Sequence, residues 1–345
     1  MASPISSRPI PTTPSTSPCS GSSGLSAPSP TTPRVADYFR RYNKELHKDF
    51  TSIQDTSYRK HFENSNLAIL KAAEGLSGTA LLLGVGGAHD LPLKELARQF
   101  DTIVLVDIDT SLTEAVVARL PKDIRDKFRI HAIDLTGIIS RLDRVLDVVV
   151  ASGSPHKEFC DRAVEALQRI RKDPLPLTEH SASFVVSSLL SSQLSHKIHE
   201  YLDKRSQDSY GNGFMRSSND EMVQFADTFA AIEESHMQDL HNLVAREGRV
   251  YFADHFSMQD LKFLHCEGKP RMTFAGEDVD FYSVIKLQVF AQKYFNRLRV
   301  EKWDWTFRPY KSEQHIVQIE SSTPQIGIME TCKNFHITAL TLAPK

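Results

Sequence analysis

The chain has 345 residues, 40% of them hydrophobic and 24% charged, a balance that suits a folded globular protein of one large or two smaller domains. A net charge of -2 supplies no global basic surface for nucleic acid. The four cysteines, Cys19, Cys160, Cys266 and Cys332, include no close pair, which argues against a zinc cluster or disulfide scaffold and suits a reducing compartment.

Residues 1–33 hold ten Ser, eight Pro and five Thr, with Arg8 as their only charge. Such a segment buries too little apolar area to offset the entropy of ordering, and disorder is expected. It lacks the apolar core of a secretory signal peptide. A plain flexible tail on a cytoplasmic protein is the expectation; its hydroxyl-rich, acid-free composition also admits organelle import or export as an effector.

From Arg34 the composition changes. "RVADYFRRYNKELHKDF" and "YRKHFENSNLAILKAAEGL" carry helical spacing of large apolar residues, so 34–78 reads as a helical cap. The first of these helices, with Tyr38, Phe39 and Tyr42, is either a lid over a ligand or an N-terminal packing layer. "ALLLGVGGAHDLPLKELARQFDTIVLVDID" follows, from Ala80 to Asp109: a strand, a glycine turn, a helix and a second strand ending in acid. "FRIHAI" at 128–133 is a third strand and runs into Asp134. "LDVVVAS" at 146–152 reads either as a buried strand or as part of a helical stripe from Ile138 to Val149; the stripe favours a helical hairpin inserted at about 138–180. Ser154-Pro155 reads as an N-cap followed by proline at the first helical position.

"SFVVSS" at 183–188 is the fourth strand, followed by the helix "LSSQLSHKIHEYLDK" and a flexible connection at Ser206–Phe214. A long helix from near Asn219 is expected to end at Gly248 as a C-cap glycine. "RVYFADHF" at 249–256 is the fifth strand. Phe281–Leu298 is mixed and leans towards helix. "KWDWTFR", "QHIVQIE" and "FHITALTL" read as closing strands. Trp303, Trp305 and Phe307 share one face, which fits packing into the core better than lining a substrate cleft. The alternation argues a mostly parallel sheet with helices on both faces, and an antiparallel hairpin at one edge.

Gly84 and Gly86 allow a tight turn and close approach of a ligand to the backbone. Asp107, about twenty residues on, can accept hydrogen bonds from ribose hydroxyls at the carboxyl ends of the strands. Asp134 and Ser187 lie at the same ends of strands three and four. A dinucleotide fingerprint would need glycine where His89 stands. No Gly-Lys-Ser/Thr follows, which excludes a phosphate-cradling P-loop.

The whole order resembles the class I S-adenosylmethionine-dependent methyltransferases, with a Rossmann-like fold. "LLLGVGGAHDLPLKELA" is similar to their first motif, "VLVDID" to their ribose-binding acid, "IDLTG" to their adenine-contacting segment, and "MQDLHNLVAREGRVYFADHF" to their last helix and fifth strand. The resemblance covers roughly Tyr58 to Phe256. It implies an α/β fold whose seven-stranded, mostly parallel sheet has an antiparallel last strand, a domain spanning 79–345, and S-adenosylmethionine as cofactor. It would set Gly84, Val85 and Gly86 against the methionine, Asp107 with Ile108 at the ribose, Asp134 with Leu135 at the adenine, and Ser187 at the methyl-transfer cavity. Position 83 is Leu where the family often has an acid, so the amino end of the methionine would depend on backbone groups.

Methyl transfer needs a general base only if the acceptor starts protonated. Asp254, His255 and His196 are the candidates by position, and each also reads as an ordinary polar side chain. His196 and His199 lack a third ligand at metal-binding spacing, so no metal site is expected. "SSLLSSQL" after strand four is not the Asn/Asp-Pro-Pro-aromatic pattern of amino-methylating nucleic-acid enzymes. A small-molecule or protein acceptor is therefore expected, with no membrane partner. The competing readings are a non-catalytic binding module on the same fold and an NAD(P)-dependent oxidoreductase.

Overall fold

The computed structural model describes residues 31–52, 56–170, 172, 175–214, 219–266, 269–275, 279–280, 291–306, 311–317 and 325–345. Residues 1–30, most of the expected disordered tail, lie outside this set, as do Phe307 and residues 281–290. The chain enters through α1 (Pro33–Ser52) and α2 (Thr56–Ala73). It then alternates β1 (Thr79–Leu83), α3 (Leu93–Gln99), β2 (Thr102–Asp107), α4 (Ser111–Ala118), α5 (Lys122–Arg125) and β3 (Phe128–Ala132). Two helices follow, α6 (Ile139–Ala151) and α7 (His156–Arg169), before β4 (Ala182–Ser188). The helices α8 (Ser191–Tyr210) and α9 (Asn219–Leu243) lead into β5 (Val244–Cys266). The remainder is β6 (Lys269–Ala275), β7 (Val279–Asp280), β8 (Phe295–Thr306), β9 (Lys311–Val317) and β10 (Gln325–Pro344).

The seven main strands lie in the order β3-β2-β1-β4-β5-β10-β8. Strands β1 to β5 are parallel, and β10 is antiparallel to both β5 and β8. This is the seven-stranded, mostly parallel sheet with an antiparallel last strand that the resemblance implied. Ala80 to Leu83 of β1 are apolar and buried because both faces are covered. Leu81 and Leu83 join one core with Phe39, Leu142, Phe159, Ile198 and Leu240, on the side of α1 and α6 to α9. Ala80 and Leu82 join the other with Ile69, Leu96 and Phe100, on the side of α2 to α4. No helix among the described residues is long and apolar enough to cross a membrane.

Several expectations move. Residues 146–151 are helical, which resolves the strand-or-helix ambiguity in favour of the hairpin. Pro155 is the N-cap of α7 rather than its first residue, and Ser154 bonds to Ser152 instead of capping. The segment from Ser206 to Tyr210 is the last turn of α8, which stops at Gly211 in the left-handed conformation (φ 69°). Residues 295–298, read as helix, begin β8. Trp303 packs towards the α2 core and donates its indole N–H to His61 Nδ1 at 3.0 Å, while nothing is described of the Trp305 side chain.

Gly248 is not a helix cap. The helix ends at Leu243, and Gly248 lies within β5 with no positive φ. Pairing of β4 with β5 jumps from Ala182↔Val244 to Phe184↔Arg249, and the surplus β5 residues bulge. A Cβ at Gly248 would stand 2.8 Å from both the Ser183 carbonyl oxygen and Val244 Cγ2. Backbone cannot yield as a side-chain tip can, so Gly248→Ala is expected to lose about 1–3 kcal/mol by overpacking. Urea unfolding checks this; an unchanged midpoint would show that the strands separate freely here.

Candidate functional site

The carboxyl ends of β1, β2 and β4 form the crevice. The loop from Gly84 to Pro92 crosses it before α3 begins. Gly84 (φ 70°) donates its N–H to the Val106 carbonyl at 2.8 Å, bending the chain over β2. An added Cβ there would lie 2.7 Å from Leu190 Cδ1, so the loop and the segment after β4 are in contact. Gly86 (φ 49°) differs: a Cβ built on it meets nothing within 4 Å. Its backbone faces open space. Ala88 keeps φ 52° although it is not glycine. A left-handed non-glycine residue stores of order 1 kcal/mol of strain and points to a loop held in shape by its surroundings.

Asp107 is what holds it. Its Oδ2 accepts the Gly86 N–H at 2.8 Å, and its Oδ1 accepts the Asp109 N–H at 3.1 Å. The Thr113 hydroxyl donates to the Gly86 carbonyl at 2.9 Å. Burial raises the Asp107 carboxyl above its ordinary value, against the lowering effect of the Gly86 N–H. Each carboxylate oxygen still has a second lone pair to offer a ligand hydroxyl. Val85 is buried beneath the loop and Ile108 is half-buried.

Asp134 follows β3 and folds back on its own turn. Its Oδ1 accepts the Thr136 N–H at 2.9 Å and the Thr136 hydroxyl at 2.5 Å, while Oδ2 is 3.5 Å from the Ser140 N–H. Burial raises this carboxyl too. It therefore shapes the entry to α6, and Leu135 is buried beside it. Ser187, at the end of β4, is fully buried and lies 2.9 Å from Nε2 of His236 on α9. Burial lowers the His236 imidazole to about 3, so it is neutral. Its Nδ1 is buried without a hydrogen-bond partner among the described residues.

Of the three base candidates, Asp254 and His255 touch each other, and His196 pairs elsewhere. Asp254 is fully buried, on the Ser187 side of the sheet by strand alternation, and 3.3 Å from His255 Nδ1. His255 lies against Phe335. His196 is 57% exposed on α8 and 3.0 Å from Glu200. Sequence reasoning missed two residues. His236 showed only as one position of a helical stripe. Asp90, in the glycine loop, accepts the Ser188 hydroxyl at 2.9 Å.

α1 lies across this edge. Asn43 reaches Asp109 at 3.5 Å, Lys197 sits 3.6 Å over the Tyr42 ring, and Tyr38 packs edge-on to Tyr201. The strand order and the helices on both faces define a Rossmann-like α/β fold.

No family model and no curated protein matches the chain. Solved structures similar to it include a TehB-like SAM-dependent methyltransferase from Corynebacterium glutamicum, at 10% identity and TM-score 0.36 over 91% of this chain and 100% of that one. The glycopeptide N-methyltransferase MtfA complexed with S-adenosyl-L-methionine matches at 10% identity and TM-score 0.33, over 78% and 93%. The N-methyltransferase NodS from Bradyrhizobium japonicum matches at 10% identity and TM-score 0.32, over 82% and 99%.

Proposed function

We propose that the protein transfers a methyl group from S-adenosylmethionine to a small-molecule or protein acceptor. The observation that carries this is the Gly86–Asp107 pair: a backbone with open space where a Cβ would stand, bound to a buried acid with lone pairs to spare, at the end of β2 in a 3-2-1-4-5-10-8 sheet. The residues fit the cofactor. Gly84, Val85 and Gly86 would lie against its methionine, and Asp107 would take the ribose hydroxyls beside Ile108. Asp134, through Oδ2, and Leu135 would edge the adenine, and Ser187 would face the transfer cavity. When bound, the sulfonium supplies an already activated methyl group. The protein's task is alignment and exclusion of water. α1 does the second by covering the edge. The scattered cysteines favour a cytoplasmic setting.

Thermal shift with S-adenosylmethionine, S-adenosylhomocysteine and NAD tests the reading. Stabilisation by the two methionine nucleosides is expected, and stabilisation by NAD alone overturns it. Asp107→Ala and Gly86→Ala should each weaken S-adenosylhomocysteine at least tenfold, the first by losing charge-assisted hydrogen bonds, the second by filling the open space. Production of S-adenosylhomocysteine with a cell extract then separates an enzyme from a binding module.

A further inference from the structure

Asp90 is an acid at this crevice with no part in holding the nucleoside end of the ligand. It lies in the loop between β1 and α3, and Ser188, whose hydroxyl it accepts, ends β4. The register Leu83↔Ser187 sets Ser188 beside Gly84, so Asp90 stands at the mouth of the crevice. From behind, His89 stacks on Phe62 of α2 at 5.7 Å and backs the loop. The residue is half-buried, which leaves a ligand room to reach it. No Lys, Arg or His among the described residues pairs with its carboxylate, and burial is the largest influence on it, raising it above the ordinary value. A desolvated carboxylate without a counter-charge is costly unless something cationic arrives. The end of β1 offers no acid, since Leu83 is apolar and 2% exposed.

We propose that Asp90 is the carboxylate that binds the α-ammonium group of the ligand's amino-acid end, with Ser188 as the residue that orients it. This rests on the nucleoside reading of the crevice. It replaces the expectation that backbone groups alone hold that end. Ser188 holds Oδ2 and the residue's own backbone N–H also bonds the carboxylate, which still has lone pairs for an N–H donor. A ligand with the same nucleoside and thioether but no amino-acid end gains nothing from Asp90.

The test is titration calorimetry of the full chain and of Asp90→Asn, with S-adenosylhomocysteine and with 5′-methylthioadenosine as probes. Asparagine keeps the shape and an acceptor for Ser188 but removes the charge. The wild type should bind S-adenosylhomocysteine at least tenfold more tightly than methylthioadenosine. Asp90→Asn should lose at least tenfold on the first and stay within twofold on the second. Equal loss on both would make Asp90 a loop-building residue, and no loss on either would remove it from the site; both overturn the proposal. Failure of the wild type to bind either thioether overturns the nucleoside reading itself, and this proposal with it.

Discussion

Asp143→Ala is expected to lower the unfolding free energy by about 3–5 kcal/mol, the cost of breaking a buried charge network from one side. The Asp143 side chain is 1% exposed on α6. It accepts the Thr32 hydroxyl at 2.6 Å, Arg34 of α1 at 3.2 Å, and the Tyr201 hydroxyl of α8. Arg205 stands 3.7 Å away and bonds Asp147 at 2.7 Å. Removing the carboxylate leaves the buried Tyr201 hydroxyl and Arg205 guanidinium without it. Arg34 is 46% exposed and adds little by itself, so the buried acid dominates. Two of the donors belong to the start of α1, and amide exchange there should quicken more than in the sheet. Denaturant unfolding and hydrogen exchange measure the two parts. A loss under about 1 kcal/mol would mean that the network is already solvated.

The second large effect is a change of slope with pH. Burial lowers His61 to about 4, and its Nδ1 is occupied by the Trp303 indole N–H. The unfolded chain takes up that proton near the ordinary value of 6.5 while the native state refuses it. Stability from His61 is therefore whole above pH 6.5 and lost as pH falls towards 4, at up to about 1.4 kcal/mol per pH unit. His61→Gln keeps an acceptor for the indole and removes the titration. Its stability difference between pH 6.5 and pH 4 should be smaller than the wild type's by about 3 kcal/mol. The raised carboxyls of Asp90, Asp107 and Asp134 act in the opposite direction, gaining stability as pH falls. The comparison of variant with wild type cancels them. Parallel urea midpoints for the two proteins across this range would refute the assignment.

What could be read along the chain was local. Glycines between a strand and a helix, acids at strand ends and an apolar stripe from Ile138 each declare themselves within a dozen residues. Asp90, Asp143 and His236 did not, because their partners Ser188, Thr32 and Ser187 lie 98, 111 and 49 residues away. Gly248 misled for the same reason: a glycine after a helical stripe looks like a cap, and only the neighbouring strand reveals the close approach. Asp134 carried a signal that could have been used. An Asp with Thr two residues on and Gly after it is the pattern of a side chain that closes its own turn. The lid question also needed long-range contacts, since the same aromatic stripe on α1 would serve either role.

β5 and β10 continue well past the crevice, paired from His265↔Ile328 down to Ser257↔His336, with β6 alongside one and β9 alongside the other. At about 3.3 Å per residue, roughly 30 Å of strand stands up beyond the crevice. Four paired strands make up this blade. An incoming molecule therefore meets a cliff on one side of the opening and α1 on another. A broad, flat surface cannot settle flush against such a rim, whereas a compact molecule or the tip of a projecting chain can.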